Sequence, residues 1–429
     1  MPECNASHPR IFIYPDSIGT PPWNMQYDAR LDFLAARIRS SQFYTADGSC
    51  ADYFIVHNYV GQYTSSAFVL RTFERIAQSF PHWNRTHQTG LVRHLVISPC
   101  DHGPGDCMFD RNGMPALSAG GVVPWSALDP SSARRRIGFL TLNGQLEAPT
   151  NFHRGLDIRL PAFDSHQCGP YCGMSHFDKR QGLKLARHSL RRFSPWTGLR
   201  AGRSTQYTQH PSLHGRRRWR LFWAGRATKG GARGDLFRFH SARSGFLLHD
   251  TSGRFPSSPG AENASADATF FPRAMANSDF CLSPLGQSDG DSDRYLPALL
   301  YGCVPIFTSV GEALPFEEVL HWPSFSLRLP NGAKDIERLH ILLQGVSDRR
   351  LRLMRANMAV AWPRMLWTSV ATPLPASLHS SPHGHGRPRP PRENASEASY
   401  LGEGPHRDAF AALIAVLRRR LRSSTPIFG

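Results

Sequence analysis

The 429-residue sequence predicts an α/β protein of two units, each built on a parallel sheet. Three observations carry this. Short buried-type apolar runs alternate with stretches of helical periodicity, a pattern that calls for parallel strands with helices on their faces. The alternation stops over residues 165–217, which are rich in Gly, Ser, His and Arg, and restarts at Trp219. The length suits two or three domains of ordinary size, and an apolar content of 40% is enough to fill their cores.

In chain order, Ile11–Pro15 is the first strand. A helix follows, with Leu31, Phe33, Leu34, Ala36 and Ile38 apolar. Tyr53–Val56 is a second strand, Phe68–Ile76 a helix, His94–Ser98 a third strand and Arg136–Thr141 a fourth. These fill a first unit over 8–165, and 166–217 reads as a connection with a basic loop. The second unit, 218–368, opens with strand Arg220–Ala224. It continues with Phe280–Leu282, a helix over Arg294–Tyr301, a strand at Val304–Phe307 and helical periodicity over 335–360. Residues 371–406 are low in complexity and rich in Pro, His, Ser and Arg, a composition that predicts disorder. An amphipathic helix, Asp408–Arg422, follows within 407–424.

The net charge of +17 comes almost wholly from arginine, since only Lys179, Lys184, Lys229 and Lys334 are lysines. A basic surface suits nucleic acid, anionic lipid, acidic glycans or nucleotide sugars. The arginines are scattered through loops rather than interleaved with stacking aromatics, which argues against nucleic acid. The eight cysteines lack zinc-site spacing. Cys100/Cys107 and Cys168/Cys172 are close enough for small disulfide loops or remain thiols, and Cys281 and Cys303 read as buried core thiols. Asn5, Asn84, Asn263 and Asn394 lie in glycosylation tripeptides. No run approaches the ~18 apolar residues of a membrane span, and no signal peptide precedes Ile11.

Ligands of open α/β sheets bind beyond the carboxyl ends of strands. Two loops in the second unit fit. Gly225–Gly234 is Gly-rich, leads into a helix and carries Arg226, Lys229 and Arg233. Its backbone N–H groups and cations suit a diphosphate. The second segment contains Ser278–Gly286, Ser292-Asp293-Arg294 and Gly302–Ile306. It places Arg294 in the first turn of a helix, a second anion site.

From Met275 to Trp322 the chain resembles the signature of exostosin-like GT47 glycosyltransferases: Ser278-x-Phe280-Cys281-Leu282-x-Pro284-x-Gly286, Ser292-x-Arg294, Gly302-Cys303-Val304-Pro305 and Leu314-Pro315-Phe316. A looser likeness covers Ile11–Pro15, Ala51–Val56, Trp83-Asn84-Arg85, Asp101-His102-Gly103 and the last helix. The resemblance implies a GT-B fold, two Rossmann-like domains across a cleft, with the acceptor on the first and a nucleotide sugar on the second. It implies inverting transfer from a UDP-sugar to a glycan or glycoprotein in the Golgi, normally by an anchored enzyme, with another transferase as a possible homo- or hetero-oligomeric partner.

The expected roles follow. The donor diphosphate falls to Gly225, Arg226, Arg233, Ser292 and Arg294; the nucleotide falls to Ser283, Pro284, Gly286, Asp293 and Gly302. Asp101 is the first candidate for the base that takes the acceptor proton, with His57 and His102 as alternatives. Asp289–Asp293 reads as a solvated turn rather than a metal site, so no metal and no cofactor beyond the donor is expected. Trp83 and Trp322 read as packing residues. The chain departs from the family at three places: Pro297 stands where an acidic residue is taken to hold the donor ribose, Gly90-Leu91-Val92-Arg93-His94 does not keep the family's Gly-Arg-Asp-His run, and His57 stands where a proline is common. A catalytically silent subunit that binds glycan or stabilises a partner transferase is the alternative reading.

Overall fold

The computed structural model describes residues 8–15, 34–35, 37–56, 66–83, 92–98, 136–146, 152–161, 192–196, 217–262, 264, 266–267, 269–285, 294–367 and 405–423. The low-complexity stretch up to residue 404 lies outside them.

Two five-stranded sheets organise these residues. The first has the order β1-β2-β3-β4-β5, with β1 Ile11–Ile13, β2 Tyr53–Val56, β3 His94–Ser98, β4 Ile137–Thr141 and β5 Ile158–Arg159. Helix α1, Ser66–Ser79, lies between β2 and β3 in sequence. The second unit runs β6 Trp219–Gly225, α2 Gly231–His240, β7 Phe246–Asp250, α3 Phe270–Ala276, β8 Ser278–Ser283, α4 Tyr295–Leu300, β9 Val304–Phe307, β10 Leu327–Arg328, α5 Leu339–Gln344 and α6 Asp348–Ala361. Its sheet order is β10-β9-β8-β6-β7. All described pairings are parallel.

The near-continuous apolar composition of these strands follows from burial on both faces. Alternation along β1 shows it: Ile11 and Ile13 join one core, while Phe12 and Tyr14 join another. The larger core is continuous from the first sheet through the second unit to the last helix, α7, Ala409–Arg422. Asp408 caps α7 by accepting from Ala411 N at 3.0 Å. The helix returns to the first sheet, where the Tyr53 hydroxyl donates to Leu417 O at 3.1 Å.

The two sheets meet at their carboxyl ends. Ala313 N, after β9, donates to Gly144 O, after β4, at 2.8 Å. A Cβ on Gly144 would collide with Ala313 O, so only glycine lets these loops touch. Trp367 Nε1 donates to Pro161 O at 3.0 Å, and the Arg420 guanidinium joins Glu318 to the carbonyls of Leu156 and Asp157.

One expectation changes. Cys281 and Cys303 form a disulfide across the start of the β8–β9 pair, with Cα atoms 5.7 Å apart, rather than remaining thiols. Cys50 is also disulfide-bonded, whereas Cys100, Cys107, Cys168 and Cys172 lie outside the described residues. Within the segment read as a connection, Ser194 Oγ donates to Leu300 O at 2.6 Å and Trp196 Nε1 to Leu299 O at 2.8 Å, so this piece docks on α4.

The Cys281–Cys303 bond closes a loop with a sequence separation of 22 that contains the whole β8–α4 segment. Loop-closure entropy assigns it about 3 kcal/mol. The double variant C281A/C303A should lose about that much stability in urea unfolding while keeping its far-ultraviolet dichroism.

Candidate functional site

The site grows from the register of the second sheet. β6 pairs with β7 so that Gly225 stands opposite Asp250, and with β8 so that Phe222 stands opposite Cys281. Continued two and three residues, that second register brings Ala224 level with Ser283 and Gly225 level with Pro284. Three strands therefore end together, where backbone N–H groups and loop side chains are released for binding.

Arg294, the residue before α4, reaches across this edge. Its Nη1 donates to Ala224 O, and its Cζ lies 5.3 Å from the centre of the Trp223 ring, a cation–π contact. Its guanidinium occupies the space a Cβ of Gly225 would need, with Cζ only 2.9 Å from that ideal position. Gly225 leaves that space open, and its φ of +156° is one that a residue with a Cβ rarely adopts. The structure thus brings together the Gly-rich turn and the arginine that the sequence separates by about seventy positions.

The loop from Arg226 to Gly230 then folds onto α2. Thr228 Oγ1 donates to Gly230 O at 2.6 Å, and a Cβ on Gly234 would collide with Thr228 O. Arg226 and Lys229 are exposed beside the turn. Arg233 also holds the protein together here. Its Nε and Nη2 donate to Leu285 O at 3.0 and 2.7 Å, so it clamps the loop after β8 to the start of α2. Ser283 and Pro284 are buried at the strand end beside the turn.

Gly302 is not part of this site. It follows α4 at the opposite edge of the sheet with φ +70°, and a Cβ there would lie 2.5 Å from Pro195 Cγ. It serves a left-handed helix end and close packing. Pro297 sits in the first turn of α4, where its missing N–H would have no partner in the helix. Trp83 and Trp322 are packing residues, 3% and 2% exposed. His57, Asp101, His102, Gly286, Ser292 and Asp293 lie outside the described residues, as does the acidic run Asp289–Asp293.

Asp250 is the residue the sequence reading missed. It is 3% exposed and accepts from Ala227 N (2.9 Å), Ser252 N (2.9 Å), Arg254 N (2.7 Å), Phe255 N (2.9 Å) and Ser252 Oγ (2.7 Å). Thr251 N donates to Gly225 O at 3.0 Å. One carboxylate therefore shapes the turn after β6 and the turn after β7 together. Desolvation opposes its charge, but the hydrogen bonds from Ala227, Ser252 and Phe255 prevail and bring its pKa from 3.8 down to about 2. The signal available in sequence was an aspartate closing an apolar run, Phe246-Leu247-Leu248-His249-Asp250.

A carboxylate whose folded pKa is depressed contributes stability that is complete above its unfolded pKa and is lost as pH falls toward the folded value. For Asp250 the window is 3.8 to about 2, and the contribution is about 2 kcal/mol. Urea unfolding from pH 5 to pH 2 should show wild type losing about that much more stability than D250N.

Residues 192–346 match the Exostosin GT47 domain. A "Probable glycosyltransferase" of Arabidopsis thaliana is 38% identical over 93 residues, 21% of this chain and 17% of that protein. A "Probable glucuronoxylan glucuronosyltransferase" of the same plant is 34% identical over 84 residues, 20% and 17%. Exostosin-1 of Drosophila melanogaster is 24% identical over 375 residues, 82% of this chain and 40% of that protein. These alignments span less than half the length of each relative. A solved glycosyltransferase of lipopolysaccharide biosynthesis, WaaG, overlays 82% of this chain and 94% of its own at 13% identity and a TM-score of 0.27, too slight a likeness to argue from. The two parallel five-stranded α/β sheets are the arrangement the sequence predicts, and the matched segment contains both Gly225 and Arg294. Through its residues 192–346 the chain is similar to the exostosin GT47 glycosyltransferases.

Proposed function

We propose that the chain transfers a sugar from a UDP-sugar to a glycan or glycoprotein acceptor, with inversion at the anomeric carbon. The observation that carries this is the Arg294 guanidinium set against the Gly225 turn at the ends of β6 and β8. A guanidinium has five N–H donors, so holding Ala224 O is compatible with binding a phosphate oxygen as well. Arg226 and Lys229, exposed on the adjacent loop, add positive charge where a diphosphate would lie. In a partly desolvated site such fixed charges stabilise the leaving UDP more strongly than water does.

In this reading Ser283 and Pro284 border the nucleotide, with Gly286, Ser292 and Asp293 completing the loop. The acceptor proton goes to a base from the first unit, with Asp101, His57 and His102 as candidates. Arginine and backbone donors meet the charge of the diphosphate, and no metal is invoked. The disulfide pairing of Cys281 with Cys303 supports an oxidising, secretory compartment such as the Golgi lumen. Among the described residues no helix is long and apolar enough to cross a membrane.

A silent, glycan-binding or partner-stabilising subunit is the second reading. Pro297 favours it, because this buried first-turn position of α4 offers no carboxylate to a ribose.

Calorimetry with UDP should show Arg294→Ala binding about ten- to a hundredfold more weakly than wild type, the loss of one charge-assisted contact. Equal affinities would remove Arg294 from the role. UDP release from a panel of UDP-glucuronate, UDP-xylose, UDP-galactose and UDP-N-acetylglucosamine separates the two readings. Binding of UDP with no turnover of any of the four would favour the silent subunit.

A further inference from the structure

Arg159 ends β5, the edge strand of the first sheet, and its side chain is 1% exposed. Its Nη1 donates to Glu312 Oε1 at 2.5 Å and to Ala313 O at 2.6 Å, and its Nε donates to Leu142 O at 2.9 Å. Glu312, 5% exposed at its side chain, belongs to the second unit, in the segment after β9. The Glu312 carbonyl in turn accepts from Arg328 Nη2 at 2.7 Å. One buried guanidinium thus ties the loops after β4 and β9 to the end of β5, across the junction of the two sheets.

The same guanidinium also reaches the start of α4. Its Cζ lies 5.7 Å from the centre of the Tyr295 ring, and Tyr295 is the neighbour of Arg294. The chain of contact runs from the first sheet through Arg159 and Tyr295 to the arginine set against Gly225.

A buried ion pair is costly to desolvate, and well-packed apolar residues in its place often hold a fold equally well. Other contacts already join the two units here, among them Trp367 with Pro161 and Arg420 with Leu156 and Asp157. Adhesion alone does not require the pair. What an ion pair adds is a directional, short-range geometry that an apolar contact lacks.

We infer that Arg159 and Glu312 are positioning residues for sugar transfer, fixing the first sheet against the start of α4. The inference rests on the proposed transferase reading. The donor is held by groups of the second unit, whereas the acceptor and its base come from the first. Loosening the junction therefore leaves donor binding in place and misaligns the two reactants, and displacements near 1 Å cost rates by large factors.

The test is the double variant R159M/E312L, assayed for UDP release with whichever of the four UDP-sugars above the wild type turns over. The expected result is an unfolding midpoint near that of wild type and a donor KM within about threefold, with kcat lower by about ten- to a hundredfold. A kcat equal to that of wild type overturns the inference. If the double variant does not fold, E312Q carries the test, since it keeps the side-chain shape but removes the charge that fixes the Arg159 guanidinium. A kcat of E312Q equal to that of wild type then overturns it. A drop in kcat for E312Q with KM unchanged supports it. A wild type that neither binds UDP nor releases it from any of the four overturns the donor-site reading and this inference with it.

Discussion

A charged guanidinium held half inside the protein is the constraint around which the second unit is arranged. Arg294 cannot rest there unpaired, because partial burial removes water from its N–H groups. It takes Ala224 O as an acceptor and the Trp223 ring as a floor. That geometry dictates the end of β6: a large aromatic, then a residue offering its carbonyl, then a residue with no Cβ. The parallel register does the rest, bringing Asp250 beside the glycine and the end of β8 level with it. Asp250 in turn shapes the neighbouring turns through backbone N–H groups rather than by neutralising the arginine.

Arginine serves two purposes in this protein, and the sequence alone does not tell them apart. At the far edge of the second sheet, Arg217 Nη1 donates to the carbonyls of Ser278, Met275 and Tyr301. Nearby, Arg220 and Arg355 share Asp279, and Arg220 also holds the carbonyls of Leu343 and Val346. These guanidiniums tie loops together where lysine, with a compact and strongly hydrated charge, would do so less well. Arg233 belongs to this group although it lies beside the Gly225 turn, since it holds Leu285 O with two donors. Part of the arginine excess is therefore internal scaffolding, and +17 overstates the charge offered to partners.

The sequence was most legible where a single physical signal dominated. The apolar runs His94–Ser98 and Val304–Phe307 match the strands residue for residue, because strands buried on both faces carry unbroken apolar composition. Arg294 beside Gly225 followed from the rule that open sheets bind ligands at strand ends. What escaped were features set by distant partners. β5 and β10 are two residues each and exist through pairing with β4 and β9, not through local propensity. Gly302 was grouped with the donor site from its place in a motif, yet the six-residue α4 carries the chain to the other edge of the sheet. The Cys281–Cys303 bond was hidden for the same reason, since only the β8–β9 register shows that the two thiols meet.

Pro297 shows how a departure in sequence can be silent for the fold and telling for chemistry. In the middle of a long helix, proline removes a hydrogen bond and clashes with the preceding turn. In the first turn of α4 neither penalty arises, because that N–H would find no helical acceptor, and its carbonyl still accepts from Tyr301 N at 3.0 Å. The helix therefore forms without a carboxylate, and folding exerts no pressure to restore one. Any selection for an acid at this position acts through the ligand. On the proposed transferase reading, a site that keeps the arginine and the glycine but not the acid would retain its grip on phosphate and give up one polar contact to the rest of the nucleotide. The free-energy difference favours the retained elements, since a charge-assisted contact to a phosphate exceeds a single hydrogen bond to a hydroxyl. On the proposed transferase reading, recognition would therefore lean on the diphosphate more than on the ribose.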